Sequence, residues 1–285
     1  MELMSANINF DAAFFALANI SNAAGSFLVY LIAGVLPCFL WLLFYLRRDR
    51  HPEPKKEIIW VFGLGALATL PAVLIEIFLI NVFGFFGLSG YISLIATNII
   101  AVAFIEEFAK YGAVWIREEA ANQNRHLDEP ADFVIYMAVA ALGFAAVENL
   151  LFLLPTVQEQ LMGSATLLKN GGAAFLISLS LFRSISAILL HTLCSGVIGY
   201  HMAAAFCHRE RKIGILAAGF FIVSCLHGLY NFSIMESENN ILFLFVPLAI
   251  ILSLSLTLYI QFQWLLRMKS VCNIKNAKFK NQKSK

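Results

Sequence analysis

Charge is what this chain has least of. Of its 285 residues only 13% are Asp, Glu, Lys or Arg, against 60% hydrophobic. A soluble domain carries about a quarter charged residues, so a wholly water-solvated fold is excluded and lipid is the natural solvent. Paired cysteines are lacking too. The five, Cys38, Cys194, Cys207, Cys225 and Cys272, show no paired spacing and fall in or beside apolar runs. They read as soft packing residues rather than a disulfide framework. No Gly-rich phosphate loop, nucleotide fingerprint, internal repeat or His-Glu-x-x-His occurs, which removes the motif-bearing nucleotide enzymes and the zincins. The first residues have no basic n-region, and Glu2 and Asp11 come early, so a cleaved signal peptide is not expected.

What is present is a series of long apolar runs. A bilayer-spanning helix needs about 20 such residues, and runs of that kind lie near 27–46, 58–83, 91–116, 132–154, 174–206, 213–234 and 241–266. The expected fold class is therefore all-α, a polytopic transmembrane bundle of about seven spans. Residues 1–26, interrupted by Asn7, Asn9, Asp11, Asn19 and Asn22, read as an interfacial helix. Residues 27–269 form the bundle, and the basic stretch 270–285 reads as a disordered cytoplasmic tail suited to anionic lipid. Lys and Arg alternate with the spans: Arg47, Arg48, Arg50, Lys55 and Lys56 in the first connection, Arg117 and Arg125 in the third, Arg209, Arg211 and Lys212 in the fifth. Of Lys and Arg the opposite connections hold only Lys169, and they include the acidic Glu236 and Glu238. By the positive-inside rule the N-terminus lies outside and the C-terminus in the cytoplasm. Basic runs that hug the membrane give nucleic-acid binding no support.

Against this apolar background, Glu76, Glu106, Glu107, Lys110, Glu148, Arg183, His191 and His227 fall at membrane depth. Each costs at least a few kcal/mol there, so such residues face the bundle interior. One or two would be read as ion pairs fixing helix packing; eight on five helices point to a site. Glu106 and Glu107 lie four and three residues before Lys110, on neighbouring faces of one helix, so the lysine can hold one carboxylate ionised. Two carboxyls in different environments are what general acid–base work requires. Glu148 is followed by Asn149, and His227 and Asn231 share a face four residues apart. His191 opens a small-residue stretch, Cys194-Ser195-Gly196 then Gly199, that permits close helix approach. At about 1.5 Å per residue, Glu106 and Glu107 fall on the order of 15 Å from the cytoplasmic end of their helix, His227 roughly 20 Å and Glu148 roughly 24 Å from theirs. A shared cavity open toward the outside is consistent with those depths. His51, His126, His201 and His208 read as surface or interfacial residues.

The ordered series Glu106-Glu107-x-x-Lys110, Phe144-x-x-x-Glu148-Asn149, His191 and His227-x-x-x-Asn231 resembles the PrsW family of intramembrane proteases. The likeness extends upstream through Arg48-Asp49, Pro52-Glu53-Pro54 and a glycine-bearing helix with Pro71 and Glu76, so it runs from about Arg47 to Asn231. The wider group of CAAX prenyl proteases and bacteriocin-immunity-type Abi proteins shares the double glutamate and the late His-x-x-x-Asn. The CAAX enzymes, however, carry Arg where this chain has Lys110 and His where it has Glu148. The resemblance implies cleavage of a single-pass, membrane-anchored protein such as an anti-sigma factor, in a bacterial inner membrane. It makes Glu106, Glu107, Lys110, Glu148, His191, His227 and Asn231 the catalytic candidates.

In that reading Glu106 or Glu107 is the base on water, the histidines share the water or protonate the leaving group, and Asn231 donates to the oxyanion. Glu148 orients a histidine. A metal version stays open, in which Glu148, His191, His227 and one of the glutamate pair hold Zn²⁺ with a position left for water. Two non-proteolytic functions stand against both, a proton-coupled transporter and a bacteriocin-immunity-type scaffold. Clustered rather than staggered carboxyls, and the lack of repeat-related broken helices, speak against transport.

Overall fold

The computed structural model describes residues 10–47, 53–86, 90–120, 127, 129–162, 178, 180–182, 186–237 and 239–283. The first helix, α1 (Phe10–Leu46), is continuous through the first expected span and beyond it toward the N-terminus. α2 (Lys55–Phe85) begins directly after Pro54 and carries Glu57 in its first turn, where an acidic side chain meets the positive end of the helix dipole. α3 (Gly90–Ala96), a wide-turned π segment (Thr97–Phe104) and α4 (Ile105–Ala120) follow without a break. α5 (Pro130–Met162) opens on a proline, whose missing N–H costs nothing at a first helical position. Asp132 reaches back there to accept the Glu129 backbone N–H at 2.6 Å, closing a capping contact. α6 (Ala187–Cys207), α7 (Lys212–Glu236) and α8 (Phe245–Lys283) complete the bundle.

Among the described residues, six helices are long and apolar enough to cross a membrane: Phe27–Leu46, Lys55–Gly84, Pro130–Leu153, Ser180–Cys207, Lys212–Glu236 and Ile241–Leu265. The seventh expected span, 91–116, is the composite rod Gly90–Ala120. It is built of three shorter helical pieces and carries Glu106, Glu107 and Lys110 within it, buried. The bundle is polytopic and all-helical, and no strand occurs among the described residues.

α5 is the hub, packed against α1, α2 and α6. Its apolar window is 72% buried, whereas that of Ile241–Leu265 is 17% buried and faces outward. Exposed Leu67, Leu70, Leu74 and Phe78 on α2, with Leu248, Leu252 and Leu256 on α8, form the outward apolar surface. α2 and α5 meet at backbone distance. A Cβ on Gly65 would collide with the Ala140 carbonyl, and one on Gly143 with that of Phe62, which is small-residue packing of the membrane kind. Thr69 Oγ1 donates to Phe144 O across the same seam at 3.3 Å. At the basic end Arg117 Nε donates to Glu57 Oε2 at 2.7 Å and Tyr136 Oη to Glu53 Oε2 at 2.8 Å, tying α4 and α5 to the start of α2.

Three features differ from the sequence expectation. The stretch before residue 27 is not a separate element from Phe10 onward, because no break separates it from the first span. α8 keeps its helical backbone to Lys283 where a disordered tail was expected; after Pro247 neither Gly nor Pro interrupts it. Cys207 is disulfide-bonded, whereas Cys38, Cys194 and Cys225 are free thiols, so the cysteines are not all packing residues.

Candidate active site

The glutamate pair sits in the first turn of α4, straight after the π segment. Its neighbour across the bundle is α7, which can come close because residue 228 is glycine: a Cβ there would stand 2.6 Å from Ile99 Cα. That approach brings His227 onto the pair. His191 arrives from the middle of the bundle, early in α6, and Glu148 from α5.

Lys110 is the electrostatic centre. Its side chain is fully buried, with Nζ 2.8 Å from Glu107 Oε1 and 3.4 Å from Glu106 Oε2. The ammonium also lies 4.6 Å from the Phe144 ring centroid, a cation–π contact. Its third polar neighbour is His191 Nδ1 at 2.7 Å. A lysine ammonium can only donate, so this contact makes Nδ1 the acceptor and leaves the ring proton on Nε2. That proton points to Glu148 Oε2, 2.6 Å away. Glu148 therefore fixes His191's tautomer from outside the cluster, on the nitrogen turned away from the glutamate pair.

The two glutamates differ sharply in how they are held. Glu107 Oε1 accepts from Lys110 and, at 3.1 Å, from His227 Nδ1, while Oε2 accepts from Ser195 Oγ at 2.9 Å. Both of its oxygens are committed and it has no exposure. Glu106 Oε2 instead faces three nitrogens at long range: Lys110 Nζ at 3.4 Å, His191 Nδ1 at 3.6 Å and His227 Nε2 at 3.7 Å. The last two exceed hydrogen-bond length. The imidazoles meet edge to face with centroids 5.0 Å apart.

Glu106 opens into a cavity of about 410 Å³ that Glu148, His191 and Asn231 also line, together with Glu76, Asn98 and Tyr230. Glu107, Lys110 and His227 stand behind its wall. The structure thus brings Glu106, Glu107, Lys110, His191 and His227 into one cluster, with Glu148 one bond further out and Asn231 on the cavity lining. Arg183 lies outside the described residues. Ser195 was legible only as a small packing residue; its position one helical turn after His191 was the available signal.

Glu106, Glu107, His191 and His227 each offer a ligand atom, all within 4.8 Å of one another and all buried. This candidate group differs from the metal set expected from the sequence, which included Glu148; here Glu148 Oε2 meets the distal nitrogen of His191. Two imidazole nitrogens and two carboxylate oxygens suit a zinc-class ion, so the donor set fits one, although Lys110 already takes contacts with Glu107 and His191 that a dication would need.

A polytopic helical bundle that keeps a buried carboxylate–imidazole cluster at the wall of a cavity has the groups to activate water inside a membrane. The comparisons with known proteins agree. The family described as PrsW family intramembrane metalloprotease matches residues 53–258, and the chain belongs to that family. It is similar to Protease PrsW of Oceanobacillus iheyensis, 27% identical over 222 residues, covering 78% of this chain and 90% of the relative. It is similar also to Protease PrsW of Geobacillus kaustophilus, 27% identical over 73% of this chain and 80% of the relative. Protease PrsW of Bacillus subtilis strain 168 is 24% identical over 77% of this chain and 88% of the relative. No solved structure matches the chain. The protein is a multi-pass membrane protease.

Proposed function

We propose that the chain is an endopeptidase that cleaves a single-pass, membrane-anchored protein, with Glu106 acting on the hydrolytic water. The observation that carries this is the contrast within the pair: Glu107 is fully hydrogen-bonded and buried, while Glu106 lines the cavity with only long contacts. A base must be free to meet the proton it abstracts. Glu106 takes a proton from water as the oxygen adds to the scissile carbonyl carbon. Asn231, on the cavity wall, donates to the oxyanion. The C–N bond then breaks and the leaving nitrogen takes the proton back from Glu106. Glu107 holds Lys110 and His227 in register, and Glu148 holds His191.

The four-donor cluster supports a metal-dependent version of the same reaction. Glu106, Glu107, His191 and His227 would hold a zinc-class ion, which when bound would acidify water and polarise the carbonyl. The basic connections favour an outside N-terminus and a cytoplasmic C-terminus, and the relatives favour a bacterial cytoplasmic membrane, with an anti-sigma factor as one fitting substrate.

The test is co-expression of the chain with tagged single-pass membrane proteins. Fragments should appear with the wild type and vanish with Glu106→Gln at equal protein level. Fragments that persist with Glu106→Gln would refute its role as base. Elemental analysis of purified protein, with His227→Ala as comparison, decides between the two versions.

A further inference from the structure

We infer that the cavity selects a substrate carrying a cationic side chain near the scissile bond, with Glu76 as its counter-ion. The inference rests on the peptidase reading above and names the substrate feature that site would recognise. The charged groups lining the cavity are the carboxyls Glu76, Glu106 and Glu148; no Lys or Arg lines it among the described residues. Two of the three have partners. Glu106 faces Lys110 at 3.4 Å, and Glu148 takes the His191 ring proton at 2.6 Å.

Glu76 is different. It projects from α2, its Oε1 is buried, and that oxygen has no hydrogen-bond partner. Leaving a buried acceptor unsatisfied costs on the order of 1–3 kcal/mol, and more when the group is charged. A helix in lipid has no structural use for such a carboxyl, since Leu or Phe at residue 76 would pack at lower cost. Glu106 and His191 line the same cavity as Glu76, so whatever satisfies Glu76 lies in the 410 Å³ space of the reacting peptide. A Lys or Arg side chain of the substrate neutralises the carboxyl and gives it donors. The same negative wall disfavours an acidic residue there.

The experiment uses full-length protein in liposomes and a single-pass reporter whose cleavage position is mapped by mass spectrometry. Each of three residues on either side of the bond is set in turn to Lys, Gln or Glu. At one position the wild type should cleave the Lys reporter at least tenfold faster than the Gln reporter in kcat/KM, with most of the difference in KM, and the Glu reporter slowest. Glu76→Gln should shrink the Lys-to-Gln ratio below twofold, and Glu76→Asp should keep part of it. Equal wild-type rates for Lys and Gln at every position would overturn the inference, as would a ratio that survives Glu76→Gln. Absence of any Glu106-dependent cleavage is a separate result, which would overturn the peptidase reading beneath it.

Discussion

Lys110 offers the sharpest test of how the buried cluster is held. Replacing it with Met keeps much of the apolar stem, including the region packed on Phe144, and deletes the ammonium. Glu107 Oε1 then loses its 2.8 Å partner and Glu106 its nearest cation. Two carboxylates are left at membrane depth with imidazoles for company. Breaking a fully buried pair on one side costs about 3–5 kcal/mol, or roughly two to four powers of ten in the folded ratio. Removing both members is far cheaper, because the burial penalty of the survivor disappears. Lys110→Met should therefore be strongly destabilised, and Lys110→Met/Glu107→Gln should regain part of that loss, with a coupling of about 1–3 kcal/mol. The assay is unfolding in detergent, followed by intrinsic fluorescence and with chelator present so that no adventitious cation replaces the ammonium. Additive single and double effects, or a neutral Lys110→Met, would refute the view that the lysine compensates the glutamates.

Two further outcomes follow from geometry away from the charges. Gly228→Ala puts a Cβ 2.6 Å from Ile99 Cα, whereas Gly112→Ala meets nothing within 4 Å; cleavage should fall at least tenfold in the first and stay within twofold in the second, measured on one reporter at matched protein level. Arg117→Met removes the guanidinium from Glu57, whose side chain is 7% exposed beside an arginine that is 17% exposed; stability should drop by about 1–3 kcal/mol while cleavage at low temperature is unchanged, as read from paired melting and activity curves.

The spans could be read from the sequence because lipid imposes one simple rule, a long apolar run, and the buried cluster because it breaks that rule. Glu106, Glu107, Lys110, His191 and His227 each stood out as ionisable at membrane depth, and the structure sets them within contact of one another. Glu148 was equally conspicuous and was expected to orient a histidine; that the histidine is His191, met on its distal nitrogen, was not legible, since residue type does not say which imidazole nitrogen a carboxylate meets. Ser195 was hidden for the opposite reason. A serine in a run of small residues is cheap in a membrane helix and raises no alarm, although its hydroxyl fixes Glu107. The lengths of α1 and α8 escaped because polar residues lower hydropathy without breaking a helix. The π segment left no mark in composition; it arises where Ile99 is pressed against Gly228, a contact between residues far apart in the chain.

That segment, Thr97–Phe104, gives the rod a phase. Each residue of an α-helix turns the next by about 100°, and the wider winding of a π stretch accommodates surplus residues without lengthening the helix to match. Everything after Phe104 is aimed by that winding. Deleting one residue between 97 and 104 would relax the segment toward α-helix and swing α4 around its own axis, carrying Glu106 off the cavity and Lys110 off Glu148's histidine while leaving span length and hydropathy almost untouched. The rod is thus tolerant of substitution on its lipid side and intolerant of any change in count, so lineages of this chain should vary freely in loop length but keep the number of residues from Gly90 to Glu107 constant.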